Sequence, residues 1–284
     1  MNELERKIAD RIKREGPLPF STFMEMALYD DVHGYYRGDP FGRDGDFFTA
    51  SQLQPVFGAY VAALAQRLDA GFEKLIDIGA GRGEVGEGFA EGKYASVRKG
   101  EKIFKTNHAI LFSNELIDAL PVDVVGRDGE MLKVDWNGER LVWHPHEPRE
   151  GAREVRPGVR AHLEEAYEAI DQGSYVLIDY GYHEGEHLRF PMGTLMSYRR
   201  HTASDEVLRE PGKRDITAHV DWAVLLREAK DVGWTVRSIE TLRGSLLSLG
   251  EDKLASLTLL GEMQLKTLLF GLGESFDVVV LDKK

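Results

Sequence analysis

The run Lys74-Leu75-Ile76-Asp77-Ile78-Gly79-Ala80-Gly81-Arg82-Gly83-Glu84 constrains this chain more than any other stretch. Leu75, Ile76 and Ile78 read as a buried strand, and three glycines at alternate positions follow at once. Glycine tolerates positive φ and lets a backbone approach a ligand closely, so the pattern predicts a parallel strand ending in a binding loop. Ligands of α/β proteins sit at the carboxyl ends of such strands, where the following element points free N–H groups outward. A dinucleotide fingerprint needs its third glycine at the sixth position, which here is Glu84. A P-loop needs Gly-Lys-Ser/Thr, which is absent. The competing reading is a glycine-rich turn with no chemistry.

The 284 residues suffice for one large α/β domain with additions, or for two small domains. No apolar run approaches the roughly eighteen residues that cross a bilayer, and Met1-Asn2-Glu3-Leu4-Glu5-Arg6-Lys7 lacks a signal-peptide core. A cytoplasmic protein without membrane insertion is expected. The chain has no cysteine, which removes disulfides, thiolate nucleophiles and cysteine metal sites. A net charge of -12 repels a phosphate backbone, so nucleic acid is excluded as a partner and a basic protein segment is favoured.

Along the chain, Leu4, Ile8 and Ile12 predict an amphipathic helix that stops at Gly16-Pro17. A second helix is expected after Pro19, capped by Ser21 or Thr22. Residues 31–49 combine glycines with aromatics, as a lid over a pocket would, or an apron on the core. Helical spacing returns from Pro55 to Leu68. A second apolar strand, Ala109 to Phe112, delivers Asn114 and Glu115 at its carboxyl end, and Val122 to His144 reads as a three-stranded meander turning at Asp128-Gly129 and Asn137-Gly138. A third junction is Tyr175-Val176-Leu177-Ile178-Asp179-Tyr180-Gly181. A helix capped by Asp215 or Thr217 should begin near Val220, followed by helical texture over 242–269 and a buried strand at 276–281.

The Asp-x-Gly-x-Gly-x-Gly spacing resembles the nucleotide loop of S-adenosylmethionine (SAM) methyltransferases. Four further segments, Gly34-Tyr35-Tyr36, Gly45-Asp46-Phe47-Phe48-Thr49, Asn114 through Val122, and Asp215-Ile216-Thr217-Ala218-His219-Val220-Asp221, resemble signatures of the MidA family, in the right order across nearly the whole chain. The resemblance implies an α/β fold, a class I SAM-methyltransferase (Rossmann-like) sheet with a helical N-terminal extension and an inserted antiparallel meander at about 121–146. The expected division is 1–70 for the extension and lid loop and 71–284 for the core. Mitochondrial members are protein arginine methyltransferases that assist assembly of respiratory complex I, which implies a protein substrate such as a respiratory complex subunit. Two departures stand out. Ser51-Gln52 replaces the usual Pro-Glu. Between Gly83 and Ala109 there is room for about one βαβ unit where two are expected, so the strand ending in a ribose-gripping acid is not visible. Glu87, Glu91 and Glu101 are the candidates for that acid.

Methyl transfer is an in-line displacement in which the enzyme mainly positions the reactants. A protonated guanidinium needs carboxylates to orient it, and Glu115 is the first choice, with Asp118 and His219 as further catalytic candidates. The cofactor residues implied are Asp46, Thr49, Asp77, Gly79, Gly81, Gly83 and Asn114. The competing reading of Asn114-Glu115 is a helix cap with an acidic first turn. His183-Glu184-Gly185-Glu186-His187 satisfies H-E-x-x-H, but Gly185 and the missing amphipathic pattern argue against a helix, and no metal is expected. The rival functions are a non-catalytic assembly factor on a degenerate fold and a small-molecule methyltransferase.

Overall fold

Asn2 caps the first helix, Glu3–Glu15, by accepting from Glu5 N–H, while the Glu5 carboxylate takes Asn2 N–H in return. Leu4, Ile8 and Ile12 form its buried stripe, as their spacing predicts. The computed structural model describes residues 1–38 and 50–284, so residues 39–49 of the lid loop, with the Asp46 and Thr49 sites, lie outside the described residues. The second helix, Phe20–Tyr29, starts directly after Pro19 without a side-chain cap, so Ser21 and Thr22 fall inside it.

The chain forms two compact units interleaved along the sequence. One comprises Met1–Phe48, Asp118–Val159 and Tyr182–His219, and the other Thr49–Ile117, Arg160–Gly181 and Val220–Lys284. In the first unit the meander strands Asp123–Val125, Met131–Trp136 and Leu141–His144 are joined by Leu18–Pro19 and Arg153–Val155 into a five-stranded sheet. A separate three-stranded sheet holds Met196–Arg199, Thr202–Ser204 and Asp215–Thr217. Leu4, Ile8, Phe20, Phe23, Val124, Leu132 and Val134 share one core in this unit.

The second unit is built on a seven-stranded sheet, ordered Thr235–Thr241, Phe276–Lys283, Ile170–Tyr182, Thr106–Asn114, Lys74–Ile78, Tyr94–Val97, with Val220–Asp221 pairing beside Ile170–Tyr182. Its centre is parallel, with Ile76 opposite both Ala95 and Leu111, and Leu111 opposite Tyr175. Phe276–Lys283 closes it antiparallel to Ile170–Tyr182. Ile110 and Phe112, Val176 and Ile178, and Val278 and Val280 bury the same face against Phe57, Tyr60, Val61 and Leu64 of helix Val56–Leu68, as period-two alternation requires.

The strand that could not be seen in the sequence is present. Tyr94–Val97 runs parallel to Lys74–Ile78, but it is only four residues long and is reached through a single 3-10 turn, Glu84–Gly88, rather than a full helix. That turn packs so closely on helix Val56–Leu68 that a Cβ on Gly88 would lie 2.2 Å from the Gly58 carbonyl oxygen. Two further sequence expectations are corrected. The helix after residue 220 spans Trp222–Val232 and is capped by Asp221, whose carboxylate accepts from Val224 N–H at 3.0 Å. Asp215 and Thr217 lie instead in a buried strand, and 242–269 resolves into helices Leu242–Leu247 and Glu251–Lys266 followed by a π turn.

Candidate functional site

In the second unit, Gly79, Gly81 and Gly83 all have positive φ, at 76°, 54° and 75°. The loop is pinned at its start, where Gly79 N–H donates to the Val97 carbonyl at 2.8 Å, and tightened where Gly83 N–H donates to Ala80 at 2.7 Å. Asp77, 3% exposed, accepts a 2.7 Å hydrogen bond from the Tyr94 hydroxyl. Burial pushes its carboxyl up to about 7 against the opposing effect of the Tyr94 bond. The side chain thus faces inward and braces the loop strand to Tyr94–Val97.

The strand Thr106–Asn114 is held from behind by a buried relay. The Tyr175 hydroxyl donates to Ser113 Oγ at 3.0 Å and lies 2.7 Å from His162 Nε2. Since Tyr175 spends its proton on Ser113, His162 must donate from Nε2, and burial lowers its pKa to about 4, keeping it neutral. At the strand's end the chain turns, with Glu115 at φ 51°, a left-handed conformation that costs a non-glycine residue about 1 kcal/mol or more. Glu115 N–H bonds the Ile178 carbonyl at 2.9 Å. Its Oε1 accepts from Ala50 N–H at 3.0 Å and from Asn114 Nδ2 at 2.9 Å. Asn114 Oδ1 is buried without a hydrogen-bond partner among the described residues.

No helix follows, so the helix-cap reading of Asn114-Glu115 does not hold: residues 115–120 form a turn. That turn is clamped by Asp179, 1% exposed, whose Oδ2 accepts from Ile117 N–H and whose Oδ1 accepts from Tyr180 N–H, both at 2.9 Å. The third junction therefore supplies a brace.

At the carboxyl end of Tyr94–Val97 the next residues are Arg98 and Lys99, where an acid was sought. Gly100, at φ 88°, turns the chain back so that Glu101 Oε2 accepts Arg98 N–H at 2.9 Å and Glu101 N–H donates to Arg98 O at 3.0 Å. Glu87 and Glu91 both precede the strand. Of the three candidates, only Glu101 reaches the strand's carboxyl end.

In the first unit Asp118 and His219 come together through Arg156. Its guanidinium donates to the carbonyls of Ala218 at 2.7 Å, Leu120 at 3.3 Å, and Asp118 and His219 at 3.4 Å. Ala218 N–H also donates to Asp118 O at 3.1 Å. Asp118 is 4% exposed and lies in the turn. Around it, Tyr36 donates to Asp215 Oδ1 at 3.0 Å, Tyr29 donates to the Ala119 carbonyl at 2.9 Å, and the two rings stack at 5.4 Å. Burial, then the negative charges of Asp215 and Asp118, holds both phenols well above their ordinary pKa. His219 packs edge-on against Phe190 at 4.9 Å, and burial followed by the Arg156 charge lowers its pKa. That lowering keeps it neutral at physiological pH.

Sequence reasoning missed Arg156, Tyr94 and the clamping role of Asp179, because none stands in a periodic pattern. The His183 to His187 segment is broken by Gly185 at φ 84° and continues as a 3-10 turn from Glu186, so its histidines do not share a helix face.

Residues 139–239 match a family model described as "Putative S-adenosyl-L-methionine-dependent methyltransferase". The mitochondrial protein arginine methyltransferase NDUFAF7 of Xenopus tropicalis is 24% identical over 310 aligned residues, covering 80% of this chain and 70% of the relative. The Danio rerio protein of the same name is 23% identical, covering 87% of this chain and 76% of its own. A solved structure of a COG1565 superfamily member from Burkholderia thailandensis, bound to S-adenosyl-homocysteine, has the same fold: 23% identity, a TM-score of 0.84, and coverage of 99% of this chain and 92% of that one. These likenesses support the resemblance to the MidA family and a SAM-dependent methyltransferase fold. The family-model match covers Arg156, Asp179 and His219, whereas the glycine loop and the 84–105 segment lie outside it.

Proposed function

We propose that this chain transfers a methyl group from SAM to a protein side chain, with arginine the leading acceptor. The observation that carries the reading is Glu115: a carboxylate at the carboxyl end of a central parallel strand, held in a strained backbone conformation and oriented by two N–H donors. Such strain persists where the surroundings impose it, and it clusters at functional sites. The residues fit the cofactor. The glycine backbone can approach an adenosyl group closely, and the buried Asn114 Oδ1 is an acceptor lacking a partner that such a ligand can provide. When bound, SAM supplies an activated methyl group. The reading assigns the ribose hydroxyls to Glu101, at the carboxyl end of Tyr94–Val97, and the ligand's depth to the glycine loop.

Arginine is favoured because the relatives are named protein arginine methyltransferases and because a carboxylate can align a guanidinium through paired hydrogen bonds. Glu115 then orients the acceptor nitrogen, and the negative charge of the site favours its approach. A net charge of -12 suits a basic protein segment, such as one on a subunit of a respiratory complex, over nucleic acid. A cytoplasmic location is part of the proposal and suits a chain without cysteine. The test is a mass-spectrometric search for methylated arginine in partner proteins after incubation with SAM. Absence of detectable SAM binding by calorimetry at millimolar cofactor would sink the reading. It would favour a non-catalytic assembly factor, for which the four-residue strand reached through a single 3-10 turn and Arg98 at the strand end are the supporting observations.

A further inference from the structure

The turn Ala50–Gln52 holds two polar atoms in an unusual state. Gln52 Nε2 and Oε1 are both buried, and neither has a hydrogen-bond partner among the described residues. Buried amide groups in native proteins are almost always paired, so a carboxamide orphaned at both ends asks for an explanation. Loose local packing does not supply one. Two residues on, Gln54 uses both ends of the same functional group, donating from Nε2 to the Ser51 carbonyl at 2.8 Å and accepting Gly58 N–H at 3.2 Å. The backbone around Gln52 is also fixed. Ala50 N–H is held by Glu115 Oε1 at 3.0 Å, Leu53 N–H bonds Ala50 O at 3.0 Å, and Leu53 is itself buried.

Gln52 therefore sits two residues from a clamp on Glu115, the same carboxylate oxygen that takes Asn114 Nδ2. Asn114 Oδ1 is the other orphaned amide atom tied to Glu115. What these atoms lack is complementary: Gln52 offers a donor and an acceptor side by side, and Asn114 offers an acceptor. An anion alone would leave Gln52 Oε1 facing negative charge, and a cation alone would leave Nε2 unpaired. A ligand with a donor and an acceptor on adjacent atoms satisfies both, and the α-ammonium and α-carboxylate of an amino acid have that arrangement.

We propose that the Gln52 carboxamide binds the amino-acid end of the adenosyl cofactor, Nε2 donating to its carboxylate and Oε1 accepting from its ammonium. The assignment rests on the reading that the glycine loop takes SAM. It gives Ser51-Gln52, a departure from the family's Pro-Glu, a role of its own: a neutral carboxamide accepts the ligand's carboxylate where a glutamate would repel it.

The experiment compares two ligands by calorimetry on the full chain and on Gln52→Leu. S-adenosylhomocysteine carries the amino-acid end, whereas 5′-methylthioadenosine keeps the adenosine and lacks it. The expected result is a loss of about tenfold or more in S-adenosylhomocysteine affinity for Q52L, with 5′-methylthioadenosine affinity unchanged. The ligand-free Tm should hold or rise, because an unpaired buried amide has been replaced by an apolar group of similar shape. Unchanged S-adenosylhomocysteine affinity would overturn the proposal. Parallel loss of both ligands would overturn it too, pointing to the adenine edge, and a lowered Tm would show that Gln52 serves the fold. A wild-type chain that binds neither ligand would refute the cofactor reading itself, and that outcome is read from the wild-type arm alone.

Discussion

Glu115 Oε1 accepts the backbone N–H of Ala50 at 3.0 Å, so the carboxylate proposed to orient the acceptor also secures the turn that leads into helix Val56–Leu68. The two duties separate by substitution. Glu115→Gln keeps a carbonyl oxygen for Ala50 and Asn114 but loses the charge that aligns a guanidinium. It should bind S-adenosylhomocysteine nearly as well as the wild type while losing methyl transfer. Glu115→Ala removes the acceptor as well and should cost a further 1–3 kcal/mol or about that in urea unfolding. Equal loss of binding and transfer in Glu115→Gln would show that the residue is structural.

Glu101 gives a second test. If its carboxylate at the tip of Tyr94–Val97 holds the ribose, Glu101→Ala should weaken S-adenosylhomocysteine by about tenfold, the scale of a lost hydrogen bond to a charged group. Glu87→Ala and Glu91→Ala, which alter acids that precede the strand, should leave the isotherm unchanged.

Stability should depend on pH through two buried groups of opposite sign. Asp77 has a folded pKa raised to about 7, so the fold binds its proton more tightly than the unfolded chain, and the stability it lends at low pH is lost as pH rises towards 7. His162 has a folded pKa lowered to about 4, so its contribution is present above about 6.5 and is lost as pH falls towards 4. Each displacement corresponds to about 3–4 kcal/mol at its limit, so between about pH 4 and 6.5 the two nearly cancel. The wild type should therefore show a flat contribution from this pair, whereas Asp77→Asn should gain stability steadily with pH over that window. Urea midpoints measured at half-unit steps decide the matter.

Arg156 is the fourth target. Its removal leaves the carbonyls of Asp118, Leu120, Ala218 and His219 without their shared donor, so Arg156→Ala should destabilise the chain by about 2–4 kcal/mol. Arg156→Lys keeps the charge but not the planar fork, and should recover only part of that loss by thermal or urea unfolding.

What the sequence by itself determined is everything that depends on near neighbours. Leu4, Ile8 and Ile12 set a helix because every fourth side chain shares a face. The alternation around Ile110 and Phe112 set a strand with one face to the core. Gly79, Gly81 and Gly83 set a loop of positive φ, and Asn114-Glu115 at a strand end set the chemistry worth looking for. Only the tertiary structure decided the rest, because the partners lie far apart in the chain and burial is not a local property. A four-residue strand whose side chains are mostly half-buried gave no periodic signal, so Tyr94–Val97 and the placing of Glu101 at its tip emerged only from pairing with Lys74–Ile78. Tyr94 on Asp77, Asp179 on Ile117, and Arg156 on the Asp118 and His219 backbones are contacts across 17 to 63 positions. The orphaned amide of Gln52 is visible only once the described residues around it are placed and none of them pairs with it.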